Sequence, residues 1–379
     1  MKRALIITIA FLLGTLSLQA QKTTFWQKVN YMLTNPAKVD TTRIYQPKTG
    51  FSLGLFTTGQ KAGFDVDVNF MMDFGGGDKL TGVTQYSISE NLCRKIGLEV
   101  GYGKVTLGYG LEVGPRSASK KRTFAFNILG RAWGVHLNYF KITNPFNSGM
   151  TIGNEEDEYY LHDEFTSSEL AVLRSFSVDA YYVFNNKRFA YPAAYKKNLV
   201  QRCTAGSWML TARYMQGDLY NSPEASWDSY NLLDCFSTMQ ASLGGGYSVN
   251  FVLWHKDPVN HRDNGLRNLT VNLTAMPVIT LFNYLKTTSY EYEEGHYTGK
   301  EKVSKVLCYP MPNFIGSTAI GFTFNRFFFS AQFTYNMFYF HSSSALNANH
   351  IDIPEYVDGL SFSGMFHDWT LKGLLVYRF

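Results

Sequence analysis

The chain has 379 residues, of which 45% are hydrophobic, 16% are aromatic and only 17% are charged, with a formal net charge of +5. This composition excludes an intrinsically disordered chain, and the scattered Lys and Arg residues form no basic face for nucleic acid. After residue 20 the sequence has no apolar run as long as the roughly 20 residues of a membrane-spanning helix. Alternating strands of a membrane barrel fit this combination, because half of each such strand is polar.

The N-terminus has the pattern of a secretory signal peptide. Lys2 and Arg3 precede an apolar stretch over residues 4–18, and Ala20 is the small residue before a cleavage site. We therefore predict a signal peptide, a periplasmic N-terminal segment and an outer-membrane β-barrel over residues 1–20, 21–49 and 50–379. The mature chain is expected in the outer membrane of a Gram-negative bacterium.

A short helix is predicted in the N-terminal segment. Four apolar residues recur there at helical spacing: Phe25, Trp26, Val29 and Leu33. Asn35 and Pro36 then end the pattern, because the residue before a proline is disfavoured in a helix.

The rest of the chain alternates with the period of two that is typical of β-strands. The run from residue 327 to 339 places seven apolar residues on one face, and it exceeds the usual strand of about five to six residues. Short and long connections alternate, as in outer-membrane barrels, although residues 188–205 and 254–265 are long for periplasmic turns. We predict an all-β fold, an antiparallel up-and-down transmembrane β-barrel of about fourteen strands, with twelve as the alternative.

The last strand carries the most specific signal. Trp369, Leu371, Leu375 and Tyr377 alternate on one face, and the chain ends at Phe379. This arrangement resembles the C-terminal signature of outer-membrane barrel proteins. The resemblance implies that Leu375, Tyr377 and Phe379 form the signal read by the barrel-assembly machinery.

The polar residues on the opposite strand faces are the predicted lining of the lumen. They are Asp65, Asp67, Glu99, Glu112, His136, Asp179, Arg213, Gln332, Asn336, Lys372 and Arg378. Because this set contains both signs of charge, a hydrated lumen and a lumen closed by internal ion pairs are both consistent with it.

No motif in the chain predicts a catalytic residue, a cofactor or a metal site. Ser52 lies in a G-x-S-x-G match inside an alternating strand, where the strand-turn-helix context of a nucleophile elbow is missing. The four cysteines have no zinc-ligand spacing, and the sequence leaves their disulfide state open; they are Cys93, Cys203, Cys235 and Cys308.

One segment carries a family resemblance. Residues 182–195 read Tyr-Val-Phe-Asn-Asn-Lys-Arg-Phe-Ala-Tyr-Pro-Ala-Ala-Tyr, and residues 205–208 read Ala-Gly-Ser-Trp. These residues resemble the signature of an uncharacterised Gram-negative family that is catalogued as a domain of unknown function. The resemblance extends over nearly all of the mature chain and implies an outer-membrane barrel. It implies no activity and no catalytic residues.

The leading functional hypothesis is passage or binding of a small molecule through the lumen or the loops, without enzymatic activity. The expected partners are outer-membrane lipid, the barrel-assembly machinery and a small-molecule solute. One alternative is an envelope enzyme that modifies lipid, for which His341 next to residues 342–344, all serines, is the local candidate. The other alternative is a structural or surface-interaction protein whose loops contact other cells or glycans.

Overall fold

A computed structural model gives the fold of the chain. It describes residues 39–47, 51–73, 79–89, 92–103, 105–113, 120–143, 148–154, 159–165, 172–220, 235–259, 263–293, 296–343 and 357–379. The predicted signal peptide over residues 1–20 and the predicted helix over residues 25–33 lie outside these described residues.

The described residues form eighteen strands and one short 3-10 helix, Tyr191–Ala194. The strands are β1 (Ile44–Tyr45), β2 (Phe51–Asp73), β3 (Lys79–Ser89), β4 (Cys93–Tyr102), β5 (Val105–Glu112), β6 (Lys120–Leu129), β7 (Trp133–Thr143), β8 (Ser148–Asn154), β9 (Tyr159–Phe165), β10 (Val172–Val183), β11 (Val200–Gln201), β12 (Ala205–Tyr220), β13 (Cys235–Lys256), β14 (Arg267–Glu293), β15 (His296–Leu307), β16 (Met311–Phe324), β17 (Phe327–Ser343) and β18 (Val357–Arg378).

Twelve of these strands form a closed antiparallel barrel: β2, β4, β5, β6, β7, β10, β12, β13, β14, β16, β17 and β18. Each barrel strand pairs with the next one in chain order, and β18 closes the ring on β2 from Arg378 opposite Ser52 to Val357 opposite Met72. We call the end of the barrel with the tight connection Asn325–Arg326 and the C-terminal Phe379 the turn end, and the opposite end the loop end. The predicted up-and-down barrel is confirmed.

The strand count is twelve, the lower of the two values predicted from sequence. Strands β3, β8, β9 and β15 have the periodicity of strands, but they pair along the loop-end parts of β2 and β14 or with one another. They therefore extend the sheet beyond the ring without adding to it. Strands β1 and β11 form a separate two-stranded sheet at the turn end.

Alternation along each barrel strand separates an outer apolar face from an inner face. In β12, Trp208 is 67% exposed and Leu210 is 44% exposed, whereas Ser207 and Met209 are each 2% exposed. A hydrocarbon environment offers backbone groups no hydrogen-bond partners, so a spanning sheet has to close on itself. The apolar outer wall and the closed ring together give the chain the fold of an outer-membrane-type barrel.

The described residues contain no helix that is long and apolar enough to cross a membrane. All four cysteines belong to the described residues, and none of them forms a disulfide there: Cys93, Cys203, Cys235 and Cys308.

Candidate functional site

The connection between β10 and β12 folds into the lumen instead of forming a simple turn. We call residues 189–201 the plug. Its 3-10 helix, Tyr191–Ala194, has Pro192 in the first turn, where a proline costs no hydrogen bond. The side chain of Gln201 accepts from the backbone N–H of Ala190 at 2.9 Å and donates to the carbonyl of Arg188 at 2.8 Å. These bonds hold the two ends of the plug together at the turn end.

Hydrogen bonds join the plug to the inner faces of several barrel strands. On one side, Asn250 of β13 donates to the carbonyl of Ala190 at 2.8 Å. On the other side, Gln332 of β17 donates to the carbonyl of Tyr195 at 2.9 Å. The hydroxyl of Tyr195 donates to Asn272 of β14 at 2.7 Å. Since each bond satisfies a buried polar group, the plug is a packed part of the fold.

A charged cluster joins the plug to the opposite wall. The Glu99 carboxylate of β4 lies 3.1 Å from the Lys196 ammonium of the plug and 3.0 Å from the Lys372 ammonium of β18. The Glu99 and Lys196 side chains are only 7% and 9% exposed. Two cations around one carboxylate compensate the cost of burying it.

Arg378, the penultimate residue, anchors the plug from below. Its side chain is fully buried, and Nη1 donates to the carbonyl of Lys197 at 3.0 Å while Nη2 donates to the carbonyl of Asn325. The Asp263 carboxylate lies 3.6 Å from the same guanidinium and accepts from the hydroxyl of Tyr45 at 2.5 Å. Burial, together with this hydrogen bond, raises the pKa of Tyr45. The anchor therefore connects β18, the plug and the N-terminal strand β1.

Above the plug lies a cavity of about 360 Å³, which we call the chamber. The plug residues Tyr191, Pro192, Tyr195 and Lys196 form its floor. Its wall is formed largely by polar side chains, which include Gln60, Lys95, Glu99, Asn127, His136, Asp179, Arg213, Gln332, Asn336, Asp368 and Lys372. This volume is in the range of sites that bind small molecules.

A chain of polar contacts crosses the lumen at the level of the chamber. The Arg213 guanidinium lies 3.0 Å from the Asp179 carboxylate of the neighbouring strand and donates to Asn336 at 2.9 Å. Asn336 in turn donates to both carboxylate oxygens of Asp368 at 3.1 Å. We call these four residues the cross-lumen chain. It joins β10 and β12 to β17 and β18, on the far side of the barrel.

An apolar layer fills the lumen on the loop-end side of this chain. Its buried residues form one cluster, which includes Phe140, Ile142, Leu173, Met215, Leu219, Val278, Leu285, Phe338, Phe340, Phe362 and Phe366. The Arg213 guanidinium lies 4.5 Å from the ring centroid of Phe338, a cation–π contact between the two layers. The chamber is therefore bounded by the plug on one side and by an apolar layer on the other.

The structure places seven of the predicted lumen residues in the chamber wall. They are Glu99, His136, Asp179, Arg213, Gln332, Asn336 and Lys372. His136 Nδ1 lies 2.8 Å from the amide oxygen of Asn127. Arg378 lies inside the barrel below the plug, and Glu112 lies on the lumenal face of β5 at its loop end, where it is exposed.

Two predicted lumen residues, Asp65 and Asp67, lie on the outer face, so the prediction for them is corrected. Both residues are on the same face of β2 as Leu53 and Leu55, which are exposed on the outer wall, because side chains two positions apart in a strand point the same way. The Asp65 carboxylate lies 3.6 Å from His367. Toward the loop end the inner face is apolar, so the polar members of the alternation turn outward. A period of two identifies two faces but not which one is inside.

Sequence reasoning missed the residues that form the chamber floor. Tyr191, Tyr195 and Lys196 lie in a connection that the strand pattern treats as a turn, and Asp368 was not among the predicted lumen residues. The available signal was the unusual length of the connection over residues 188–205 together with its small residues, Ala193 and Ala194. Small side chains allow a backbone to approach a strand closely, as Ala194 approaches Gly321.

Among the side chains that the structure describes, the local candidates for nucleophilic chemistry are not assembled as catalytic pairs. Ser52 is buried in β2 and donates to the carbonyl of Gly101 at 3.1 Å. His341 and Ser342 are consecutive residues of β17, so their side chains point to opposite faces, and the His341 ring stacks on Tyr309. The side chains of residues 343 and 344 lie outside the described part of the chain.

The residues of the predicted assembly signal lie at the turn end. Leu375 and Phe379 are exposed on the outer wall. The Phe379 ring lies 5.1 Å from the Tyr377 ring and 5.3 Å from the Phe51 ring, measured between centroids. These aromatic side chains form an edge typical of the membrane interface.

Comparisons with known proteins place the chain in a family. A family model described as Domain of unknown function (DUF4421) matches residues 38–353. A comparison with curated proteins found no match. Among solved structures, the outer membrane protease OmpT from Escherichia coli is 9% identical with a TM-score of 0.41, over 91% of this chain and 100% of that chain.

Two further solved structures are also barrels of the outer-membrane type. A BenF-like porin from Pseudomonas fluorescens Pf-5 is 11% identical with a TM-score of 0.17, over 84% of this chain and 98% of that chain. A FadL homologue from Pseudomonas aeruginosa is 7% identical with a TM-score of 0.19, over 86% of this chain and 90% of that chain. Because these TM-scores are below 0.5, no residue of this chain is equated with a residue of those proteins. The assignment to the barrel class is based on the strand pairing of this chain.

The prediction that the protein is not an enzyme is wrong as it was made. It was based on the lack of a catalytic motif and on a family resemblance that implies no activity, whereas an outer membrane protease is among the solved structures similar to this chain. The shared fold establishes no activity for this chain, because function resides in the site and not in the fold.

Proposed function

We propose that this chain, which belongs to the DUF4421 family, binds a small polar molecule in the chamber of an outer-membrane barrel. The single observation that carries the proposal is the plugged lumen, in which Lys196 and Tyr195 form the floor of a polar cavity of about 360 Å³. A cavity of this size with convergent polar groups is the usual form of a small-molecule site.

Binding is favoured over free passage because three layers cross the lumen. The plug, the cross-lumen chain and the apolar layer would all have to move before a solute could diffuse through. The hydrogen bonds of the plug would then be exchanged for bonds to water, at about 0.5–1.5 kcal/mol for each. Passage therefore requires a change in the plug, whereas binding requires none.

The charged groups of the chamber already have partners within the wall. Glu99 is compensated by Lys196 and Lys372, and Arg213 by Asp179. A ligand that carried a net charge would have to displace one of these pairs and leave a buried charge without its partner, which is costly. The proposed ligand is therefore a molecule without net charge.

The proposal is tested by ligand-induced stabilisation of the folded barrel. A panel of small sugars, amino acids and dipeptides is added to the detergent-solubilised protein, and the melting of the folded band is followed by gel mobility. A ligand that binds only the folded state raises the melting temperature. Ala125→Phe fills the chamber from the inner face of β6 and abolishes this rise, whereas Phe124→Ala, on the outer face, retains it.

Planar-bilayer recordings provide the second part of the test. The wild-type protein is expected to give almost no steady conductance, because the plug remains in place. A large steady conductance, or the absence of stabilisation by every member of the panel, would contradict a closed binding chamber.

We also propose the outer membrane of a Gram-negative bacterium as the location, with cleavage near Ala20 and recognition of Leu375, Tyr377 and Phe379 by the barrel-assembly machinery. Membrane fractionation and the mass of the mature chain test the location and the cleavage. Deletion of Phe379 is expected to lower the folded fraction in cells but not refolding in detergent. Equal loss in both assays would assign Phe379 to stability instead of assembly.

A further inference from the structure

Three polar side chains in the loop-end half of the lumen have no hydrogen-bond partner within the described part of the chain. Thr238 and Gln240 lie on the inner face of β13, and Asn283 of β14 is the register partner of Gln240. We call these three residues the amide patch. Their exposed fractions are 4%, 1% and 1%, so all three are buried.

Five polar atoms of the amide patch have no partner among the residues that the structure describes. They are Thr238 Oγ1, both polar atoms of the Gln240 carboxamide and both polar atoms of the Asn283 carboxamide. A buried polar group without a hydrogen bond costs about 1–3 kcal/mol, and native proteins contain few such groups. Five of them at adjacent positions therefore indicate a place where another molecule supplies the missing bonds.

By contrast, the polar side chains at neighbouring inner positions of β13 and β14 are hydrogen-bonded. The hydroxyls of Ser242 and Thr280 lie 2.9 Å apart, and Asn313 donates to Thr280. The backbone N–H of Tyr339 donates to the Asn313 side chain at 2.6 Å. Since the fold satisfies these inner polar groups, the lack of partners at the amide patch is local and does not extend along the strands.

Apolar residues flank the amide patch on β12 and β14. Gln240 is flanked by Met215 on β12, and Thr238 is opposite Leu285 on β14; both apolar residues belong to the buried cluster of the apolar layer. Met215 also lines the chamber. Methionine is flexible, and Met215 borders both the chamber and the amide patch.

We propose that the amide patch is a hydrogen-bonding subsite for an uncharged group with a donor and an acceptor side by side, such as a carboxamide or a pair of vicinal hydroxyls. Each carboxamide of the patch supplies donors and acceptors together, so two of them on paired strands match such a group. An ion is disfavoured there, because burying a charge among apolar residues without a counter-ion is costly. This inference rests on the proposed function and names the chemistry of the ligand.

The test uses the side-chain amide resonances of the full mature chain, labelled with ¹⁵N in detergent micelles. Loss of a resonance in Gln240→Leu and in Asn283→Leu assigns the two carboxamides. Acetamide, ethane-1,2-diol and acetate are then titrated in parallel. The three titrations distinguish binding of a carboxamide, of vicinal hydroxyls and of an ion. The carboxamide of Asn272, which is fully buried and hydrogen-bonded to Ser248 and Asn250, is the internal control.

The expected result is a saturable shift of the Gln240 and Asn283 resonances with acetamide or the diol, and no shift with acetate or at Asn272. The neutral probe that gives a saturable shift shows whether the subsite binds a carboxamide or vicinal hydroxyls. Either leucine variant is expected to weaken the apparent affinity about tenfold, which corresponds to about 1.4 kcal/mol. Both variants should fold, because they replace an unpartnered polar group with an apolar one.

Two outcomes would overturn the inference. A stronger response to acetate would exclude a neutral subsite, and no saturable shift with either neutral probe would exclude a subsite for these groups. In either case, if ligands still raise the melting temperature of the wild type but not of Ala125→Phe, the proposed chamber stands and only the proposed subsite is excluded. If the probes shift the patch but no chamber ligand stabilises the barrel, only the proposed function has failed.

Discussion

Arg213 donates a hydrogen bond of 2.9 Å to Asn336, although their strands, β12 and β17, are separated along the barrel wall by β13, β14 and β16. The bond crosses the lumen and links two walls that share no backbone pairing. This hydrogen bond therefore fixes the distance between opposite walls of the barrel, whereas the backbone hydrogen bonds connect only adjacent strands.

Arg213→Met is expected to destabilise the folded barrel by about 3 kcal/mol, because it leaves the Asp179 carboxylate without its counter-ion. Urea unfolding followed by gel mobility measures the change. Adding Asp179→Asn to the Arg213→Met variant should recover part of the loss. If the double variant is less stable than the single one, the ion pair is not the source of the effect.

Glu99→Gln is expected to cost about 3–5 kcal/mol, because Lys196 and Lys372 both lose their shared counter-ion. The same unfolding assay is suitable. Glu112→Gln is the matched control: Glu112 is exposed on the lumenal face at the loop end of β5, and its removal should cost less than about 1 kcal/mol. Similar losses in the two variants would argue against a buried charged cluster as the attachment of the plug.

Gly321→Val is expected to displace the plug while the barrel remains folded. A Cβ atom at this position would lie 2.9 Å from both the Cα and the carbonyl oxygen of Ala194, and backbone atoms cannot yield without a shift of the plug. We expect trypsin to cleave after Lys196 and Lys197, which are buried in the wild-type plug. Gly59→Ala, where the nearest atom is 3.7 Å away in Leu92, should leave both cleavage sites protected. Full protection of both sites in Gly321→Val would show that the substitution does not displace the plug.

Burial lowers the pKa of Lys197 in the plug from its usual value of 10.5 to about 8, and repulsion by Lys196 and Arg378 acts in the same direction against attraction by Glu99. Between pH 8 and 10.5 the unfolded chain then binds more protons at this residue than the folded chain. The contribution of Lys197 to stability therefore increases with pH across this window.

Lys197→Met is expected to flatten the rise in stability across that window and to raise stability at pH 7. Unfolding midpoints measured at intervals between pH 7 and 10 provide the comparison. Because other groups titrate in the same range, the difference between wild type and variant is the quantity that matters. A constant difference across all pH values would contradict a lowered pKa.

Much of the chamber wall could be predicted from strand parity alone. Alternation in β10, β12 and β17 was enough to place Asp179, Arg213 and Asn336 on faces opposite the apolar wall. The same rule placed Asp65 and Asp67 wrongly, because the inner face changes from polar to apolar along the length of the barrel. The alternation of side chains separates the two faces of a strand but does not tell which face is inside. It therefore cannot detect that the inner face changes from polar to apolar along the same strand.

By itself, the sequence determined the class of fold, because aromatic enrichment, low charge and a period of two are local properties of composition and order. Only the tertiary structure decided that the barrel has twelve strands, that residues 189–201 enter the lumen and that Arg213 meets Asn336 across it. Arg213 and Asn336 are 123 positions apart in the chain, and the ring closure pairs Ser52 with Arg378 near the C-terminus. The geometry of these contacts depends on how the ring closes and how its strands are staggered, which no single segment of sequence specifies.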